Sequence, residues 1–279
     1  MKKSESVHSI LRNFEIRPKK KLGQHFLHAT PTIKKIVASL AITRGDTVVE
    51  IGPGPGVMTP FISDAAKSVI AIDADADMIE ILKSRMSDRK NVKIVYSDIL
   101  KVKLPYLIEN KKRVKIIGNL PYNISSQIVF WMIDSRKNIS KAVIMVQKEV
   151  AQRLAAKPGG KEYGILSVIL QAFARCSKLF DVSPNNFLPP PKVTSSILMI
   201  EFSDPEDKIG SEEVFIKTVK AAFGKRRKTI RNSLLESKDQ LFSAVKIDSA
   251  LTNLGIDPKR RAETLSVKEF IALSNLLTQ

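Results

Sequence analysis

Thr47-Val48-Val49-Glu50-Ile51-Gly52-Pro53-Gly54-Pro55-Gly56 is the stretch that decides the fold. An apolar, β-branched run enters a loop with glycine at every second position, and an amphipathic segment follows. A short apolar run ending in glycine is the pattern of a strand buried on both faces. A glycine loop between strand and helix opens a βαβ unit. The same alternation recurs downstream. Ser68–Asp73, Val92–Tyr96, Val114–Gly118 and Ala142–Gln147 read as further buried parallel strands, with helical segments between them. This predicts a doubly wound α/β sheet.

Beyond Tyr163, a helical stretch from Ile165 to Ala174 leads to two more candidate strands, Leu179–Val182 and Ser195–Phe202, separated by a proline-rich loop from Pro184 to Pro191. Their close spacing predicts an antiparallel pair that ends the sheet. Ser203-Asp204-Pro205-Glu206-Asp207 marks a linker, after which Phe215, Val219, Ala222 and Phe223 recur at helical spacing. Gly255 and Pro258 signal a stop and restart, and Ser266 with Glu269 three residues on forms a capping box for the last helix. Residues 1–20 are polar and basic without periodicity and read as a flexible arm. The expected division is therefore an arm over 1–20, the α/β domain over 21–205 and a small helical domain over 206–279.

A chain of 279 residues suffices for one sizeable domain and a small second one. Its 46 Lys+Arg against 28 Asp+Glu give a formal charge of +18, a field that attracts polyanions and makes binding salt-dependent. Nucleic acid is the first partner to consider and a membrane surface the competing one. No stretch approaches the roughly 18 apolar residues of a spanning helix, and the N-terminus lacks the apolar core of a signal peptide. A soluble, cytoplasmic protein is expected. One cysteine, Cys176, and three histidines, His8, His25 and His28, offer neither an internal disulfide nor a zinc pattern, so no metal is expected.

The glycine spacing separates two cofactor classes. A dinucleotide fingerprint would place its third glycine at position 57, where Val57 stands. Glycines at 52, 54 and 56 instead resemble the loop of S-adenosylmethionine methyltransferases, whose backbone passes close to the cofactor's methionyl and ribose parts. Pro53 and Pro55 lack N–H donors, which weakens a phosphate cradle. Asp73 ends the next strand, where a carboxylate can accept both ribose hydroxyls, and Asp98 ends the third, where one can accept the cofactor's adenine amine. The plainer alternatives are a tight structural turn for the loop and strand-end caps for the two acids.

Gly118-Asn119-Leu120-Pro121-Tyr122 ends the fourth strand. An amide, a backbone carbonyl ahead of proline and an aromatic face together suit one task, gripping a flat exocyclic amine such as adenine N6. That nitrogen is a poor nucleophile because its lone pair is delocalised into the ring. If the Asn119 side-chain oxygen and the Leu120 carbonyl accept its two N–H hydrogens, the nitrogen becomes more tetrahedral and its lone pair is freed. Positioning and electrostatics then supply most of the acceleration, with no strong base. Tyr122 is expected to stack on the base; a mere core aromatic is the alternative.

Together these motifs resemble the KsgA-type ribosomal RNA adenine N6,N6-dimethyltransferases. The resemblance runs through Lys20-Lys21-Leu22-Gly23-Gln24-His25-Phe26-Leu27, Glu50 to Thr59, Asn119 to Ser126, Asn186 to Val193 and Ala221 to Asn232. It implies a Rossmann-like methyltransferase domain with a small helical domain. It also implies transfer of four methyl groups from S-adenosylmethionine to two adjacent adenosines in the 3′-terminal hairpin loop of small-subunit rRNA, late in assembly of the 30S particle. By position, it puts cofactor contacts at His25, Leu27, Gly52, Asp73, Asp98 and Asn119, with Gly54 in the same loop. It puts the target pocket at Leu120, Pro121 and Tyr122, with Phe187 stacking from the proline-rich loop. His25 stands where many relatives carry Asn, and Asp73 where the family usually shows Glu, one methylene longer.

Lys225, Arg226, Arg227, Lys228 and Arg231 follow an apolar helical face and predict a strongly basic helix face that contacts rRNA phosphates, with the N-terminal lysines and Arg12 to Arg17 as a second contact. Such contacts position RNA without choosing the adenosine. A solvated surface is the plainer reading of a charge run. Two other functions stay open at this level: a resistance-type methyltransferase acting on one adenosine of large-subunit rRNA, and a non-catalytic assembly or nucleic-acid-binding factor. Intact Gly52, Asp98, Asn119 and Tyr122 argue against lost chemistry. A monomer is expected, since nothing suggests a coiled coil.

Overall fold

Buried apolar runs set the architecture. The computed structural model describes residues 6–19, 22–108, 113–205, 207–225, 227–237 and 242–278. Its strands are β1 (Phe26–Leu27), β2 (Thr47–Ile51), β3 (Ser68–Asp73), β4 (Val92–Tyr96), β5 (Val114–Asn119), β6 (Ile139–Gln147), β7 (Ala174–Val182), β8 (Phe187–Leu188) and β9 (Ser195–Phe202). Seven of them form one sheet in the order β4-β3-β2-β5-β6-β9-β7, while β1 and β8 pair separately. The strands from β4 to β6 are parallel, and β9 runs antiparallel to β6. Val48, Val49, Ile116, Ile117, Val143 and Ile144 are fully buried, as strands covered on both faces require.

The chain divides into two compact units, Met1–Ala151 with Ser177–Phe202, and Gln152–Cys176 with Ser203–Gln279. In the first, α1 (Val7–Asn13), α2 (Thr30–Ser39), α3 (Thr59–Ala65), α4 (Ala76–Arg85), α5 (Leu104–Leu107) and α6 (Ser125–Asp134) accompany the sheet. Register brings the strand ends that matter to one edge. Ile51 lies beside Ile72 on one side and Gly118 on the other, and Asp73 lies beside Tyr96. Only glycine fits at 118, because a Cβ there would sit 2.6 Å from the Ile51 carbonyl oxygen.

Two expectations need correction in this unit. The arm expected over residues 1–20 is, where described, α1 with its following turn. Ser6 caps α1 by accepting the Ser9 N–H, and Val7, Ile10 and Leu11 are buried against Phe26, Met78 and Ile81. Apolar residues at 7, 10 and 11 fall on one helical face, and their burial offsets the ordering of the segment. Residues 1–5 and Lys20 and Lys21 lie outside the described residues. The strand expected over Leu179–Val182 starts instead at Ala174. Like β4 at the other end it is an edge strand, and exposed Arg175, Lys178 and Asp181 punctuate it as edges demand, which hides its length in the sequence.

The second unit is helical. After α7 (Lys148–Leu154), it comprises α8 (Ile165–Phe173), α9 (Glu212–Phe223), α10 (Ile230–Leu235), α11 (Ala244–Asn253) and α12 (Val267–Thr278). Phe173 of α8 meets Phe215 of α9 edge-on at 6.1 Å, and Phe223 stacks on Phe270 of α12 at 5.7 Å. The helical unit therefore recruits α8, which the division at residue 205 had assigned to the sheet. Its apolar face needed partners, and α9 and α12 supply them. The capping box at α12 forms as expected: the Ser266 N–H donates to Glu269 at 2.7 Å and the Glu269 N–H to the Ser266 hydroxyl at 3.2 Å.

Candidate active site

The carboxyl ends of β2 to β5 and the segment from Leu22 to Phe26 wall one pocket. Open α/β sheets bind ligands at this edge, where the strand order reverses. Gly52, Gly54, Asp73, Asp98, Asn119, Leu120, Pro121, Tyr122 and His25 all line it. These nine sequence-predicted residues are brought together.

Gly54 has a φ of +54°, and a Cβ there would come within 2.9 Å of the Phe26 ring. Its N–H donates to Asp73 Oδ2 at 3.1 Å, while Asp73 Oδ1 accepts the Asp75 N–H at 2.9 Å. Burial pushes the Asp73 carboxyl up, and these backbone donors oppose the rise. Asp98 Oδ1 accepts the Leu100 N–H at 3.0 Å, so the acid caps a turn and also faces the pocket. The plain and the functional readings of Asp98 are compatible.

At the end of β5 the polar groups are sorted. Asn119 Nδ2 donates to the His25 carbonyl at 2.8 Å, which leaves Oδ1 as the acceptor. The Leu120 N–H donates to the Met145 carbonyl at 3.1 Å, and its side chain is buried. Neither Asn119 Oδ1 nor the Leu120 carbonyl accepts a hydrogen bond from the described residues. Pro121 has no N–H to offer nearby. Two acceptors with free capacity thus stand on consecutive residues that line the pocket.

Tyr122 lies beside them. Its ring stacks on His25 at 5.6 Å and 23°, and its hydroxyl shares a 2.6 Å hydrogen bond with Ser195 at the start of β9. Burial raises the phenol's pKa, with the Ser195 bond opposing. His25 Nδ1 lies 2.8 Å from the Pro189 carbonyl. A carbonyl only accepts, so Nδ1 carries the proton.

Leu27 and Phe187 do not reach the pocket wall. They face one another in the β1–β8 ribbon and are both buried in the core. Successive strand residues alternate in direction. Phe26 accordingly reaches the pocket while Leu27 turns to the core; Leu188, paired with Phe26, lines a neighbouring cleft instead, and Phe187 joins Leu27 in the core. A two-residue strand carries too little pattern for sequence to show which side wins.

The sequence reading also passed over a support beneath the pocket. Asp75 caps α4 through the Asp77 N–H and accepts from Lys19 Nζ at 2.5 Å and Gln24 Nε2 at 2.6 Å. This network fixes the Leu22–Phe26 segment over the glycine loop. A cap acid directly before the α4 pattern was the available signal. Glu50 is a second omission. It is fully buried, with neither carboxyl oxygen in a well-formed hydrogen bond, and desolvation, opposed by the nearby Thr59 hydroxyl and aided by Asp73, pushes its carboxyl up to about 8.

The basic run does not form one helix face. α9 ends at Phe223 and α10 begins at Ile230, so the cations sit in the connection between them. Lys225 and Lys228 pair with Glu236 at 2.6 and 3.5 Å, and Arg231 pairs with Asp248 through two contacts of 2.5 and 2.8 Å. Arg227 is exposed and has no ion pair among the described residues. Arg226 lies outside the described residues. Among the described residues, no cluster of three or more His, Cys, Asp or Glu could hold a metal ion, and no helix is long and apolar enough to cross a membrane.

The residues present fit S-adenosylmethionine. Side-chain-free backbone stands where the loop closes on Phe26, carboxylates end β3 and β4, and Ile51, Ile72 and Ile99 give apolar walls. A family model described as ribosomal RNA adenine dimethylase matches residues 16–279. The chain belongs to this family. It is 43% identical over 275 residues to a ribosomal RNA small subunit methyltransferase A of Syntrophus aciditrophicus, covering 98% of each chain. A protein of the same description from Clostridioides difficile is 38% identical over 96% of this chain and 93% of its own. A solved dimethyladenosine transferase from Plasmodium falciparum superposes with a TM-score of 0.78 at 27% identity, covering 89% of this chain and 96% of that one. A 23S rRNA methyltransferase, ErmE, shares the fold with a TM-score of 0.70 at 24% identity, over 91% of this chain and 100% of that one. This ribosomal RNA adenine dimethylase is thus an S-adenosylmethionine-dependent enzyme with a Rossmann-like sheet.

Proposed function

We propose that this chain dimethylates the N6 amines of two adjacent adenosines in the 3′-terminal hairpin loop of small-subunit rRNA, during late assembly of the 30S particle. The observation that carries the reading is the pair of open acceptors, Asn119 Oδ1 and the Leu120 carbonyl, beside the Tyr122 ring. The small-subunit relatives, similar over nearly the whole chain, favour this substrate over large-subunit rRNA.

Gly52, Gly54, Asp73 and Asp98, with His25, hold S-adenosylmethionine, which supplies an electrophilic methyl group. Asn119 Oδ1 and the Leu120 carbonyl accept the two hydrogens of the adenine amine. In the first transfer their pull localises the nitrogen lone pair and stabilises positive charge as the N–C bond forms and the methyl–sulfur bond breaks, the thioether departing and one N–H proton passing to solvent; in the second, one of the two acceptors holds the single N–H that remains. Tyr122 holds the base plane from one side, its own ring fixed by His25 and Ser195. Phe187 and Leu27 contribute by anchoring in the core the ribbon that carries Phe26. Arg227 contacts phosphate, with Lys225, Arg226, Lys228 and Arg231 adding to the field. The protein acts as a cytoplasmic monomer.

The test is tritiated methyl transfer from S-adenosylmethionine to small subunits lacking the modification, beside large subunits, with the labelled nucleoside identified after digestion. N6,N6-dimethyladenosine from small subunits alone is the expected product. Label confined to large subunits, or no transfer at all, would overturn the proposal.

A further inference from the structure

α1, its following turn and the proline-rich loop bound a second cleft of about 1110 Å³. That exceeds the roughly 300–1,000 Å³ of a small-molecule site. It is continuous with the first pocket, since His25 and Tyr122 line both. Its walls carry Arg12, Arg17 and Lys192, all exposed and none ion-paired among the described residues. Among the described residues, no Asp or Glu lines it. Between the cations lie apolar surfaces from Leu11, Ile16, Leu188, Pro190 and Val193, the last 44% exposed.

Cations that are free to meet phosphates, set beside apolar surface that can meet unstacked bases, are the chemistry of a single-stranded nucleic-acid site. A duplex keeps its bases inside and offers nothing to the apolar wall. An acidic protein segment would match the charge, but it gives no reason for the cleft to open on a pocket built for a base. We infer that this cleft holds the unpaired nucleotides flanking the target adenosine, with Arg12, Arg17 and Lys192 on their phosphates. The inference rests on the adenine-pocket reading of Asn119 and Tyr122. It assigns to α1 and the loop a substrate-holding role, separate from the run at 225–231.

The test compares the full-length protein, its R12A/R17A/K192A variant and a charge-matched K90A/K93A/K101A control. Fluorescence anisotropy reads binding of a labelled ten-nucleotide single-stranded RNA with two central adenosines, and of the corresponding duplex. The expected result is tighter binding of the single strand by wild type and control, with at least a tenfold loss in the triple variant. The salt slope should fall by about 2, at roughly 0.7 per lost phosphate contact on a single strand. Unchanged S-adenosylmethionine affinity by calorimetry shows that the variant is folded. Equal single-strand affinity in the variant and the control would overturn the inference. It would do so even if the KM for small subunits rose, which would then assign the cleft to a subunit protein. Because the oligonucleotide measurement needs no methyl transfer, failure of the cleft and failure of the proposed reaction are read separately.

Discussion

Asn119 illustrates how one hydrogen bond can set chemical polarity. Its Nδ2 is committed to the His25 carbonyl, so the amide can present only oxygen elsewhere. Asn119→Asp keeps an acceptor but puts a second oxygen against that carbonyl, and single-turnover methyl transfer should fall by about 10²-fold or more. A fall below tenfold would remove Asn119 from the reaction. Glu50 makes a different kind of prediction. Its carboxyl moves from an ordinary 4.5 to about 8 on folding. The folded chain therefore keeps the proton above pH 4.5, where the unfolded chain gives it up. The stability contributed is present below 4.5 and is lost as pH rises through 8, at up to about 1.4 kcal/mol per pH unit. Glu50→Gln abolishes this dependence, so its melting temperature should gain on wild type from pH 5 to 8 and hold a constant margin above that. Parallel melting curves across the range would mean that the carboxyl is ionised in the folded protein.

Helices and strands differed in how plainly the sequence announced them. β2, β3, β5 and β6 were legible because burial on both faces demands β-branched runs, and the glycine loop and Asn119 could be placed at their ends. β4, expected as a buried strand, is an edge strand with exposed Lys93 and Tyr96 and no fully buried residue. α1 was not legible, although Ser6 at the cap and Val7, Ile10 and Leu11 at helical spacing were available, because seven residues hold too few repeats to stand out from a basic surround. Ile10→Ala should cost about 2–4 kcal/mol in urea denaturation, whereas a flexible arm would register nothing. The run at 225–231 misled in the opposite direction. Its spacing suited a helix, but Thr229 caps α10 through the Asn232 N–H and so breaks the run. Glu236 and Asp248, distant in sequence, take up three of its cations. The ribbon of β1 and β8 defeats sequence reading for a third reason, since Leu27 and Phe187 find their direction only from each other.

For the whole molecule, a charge of +18 implies steeply salt-dependent binding to rRNA. The ion pairs decide which residues carry it. Arg227→Ala should lower the slope of log affinity against log salt by about 1, measured on small subunits. Arg231→Ala should instead lower the melting temperature, because it strips Asp248 of its partner. Equal slopes for Arg227→Ala and wild type would exclude phosphate contact there. The two compact units also interleave along the chain, since Gln152–Cys176 joins the helices that follow residue 203 while Ser177–Phe202 returns to the sheet. This ordering has a consequence for biosynthesis. On the translating ribosome, the elements holding Gly54, Asp73 and Asn119 emerge well before Ser195 and Pro189, which fix Tyr122 and His25. A nascent chain thus has the means to shape its methyl-donor side before its base-holding side, and no single cut separates the units. Ending the chain at the linker would strand α8, with Val168, Ile169 and Leu170 bared to water and to whatever chaperones patrol the exit tunnel.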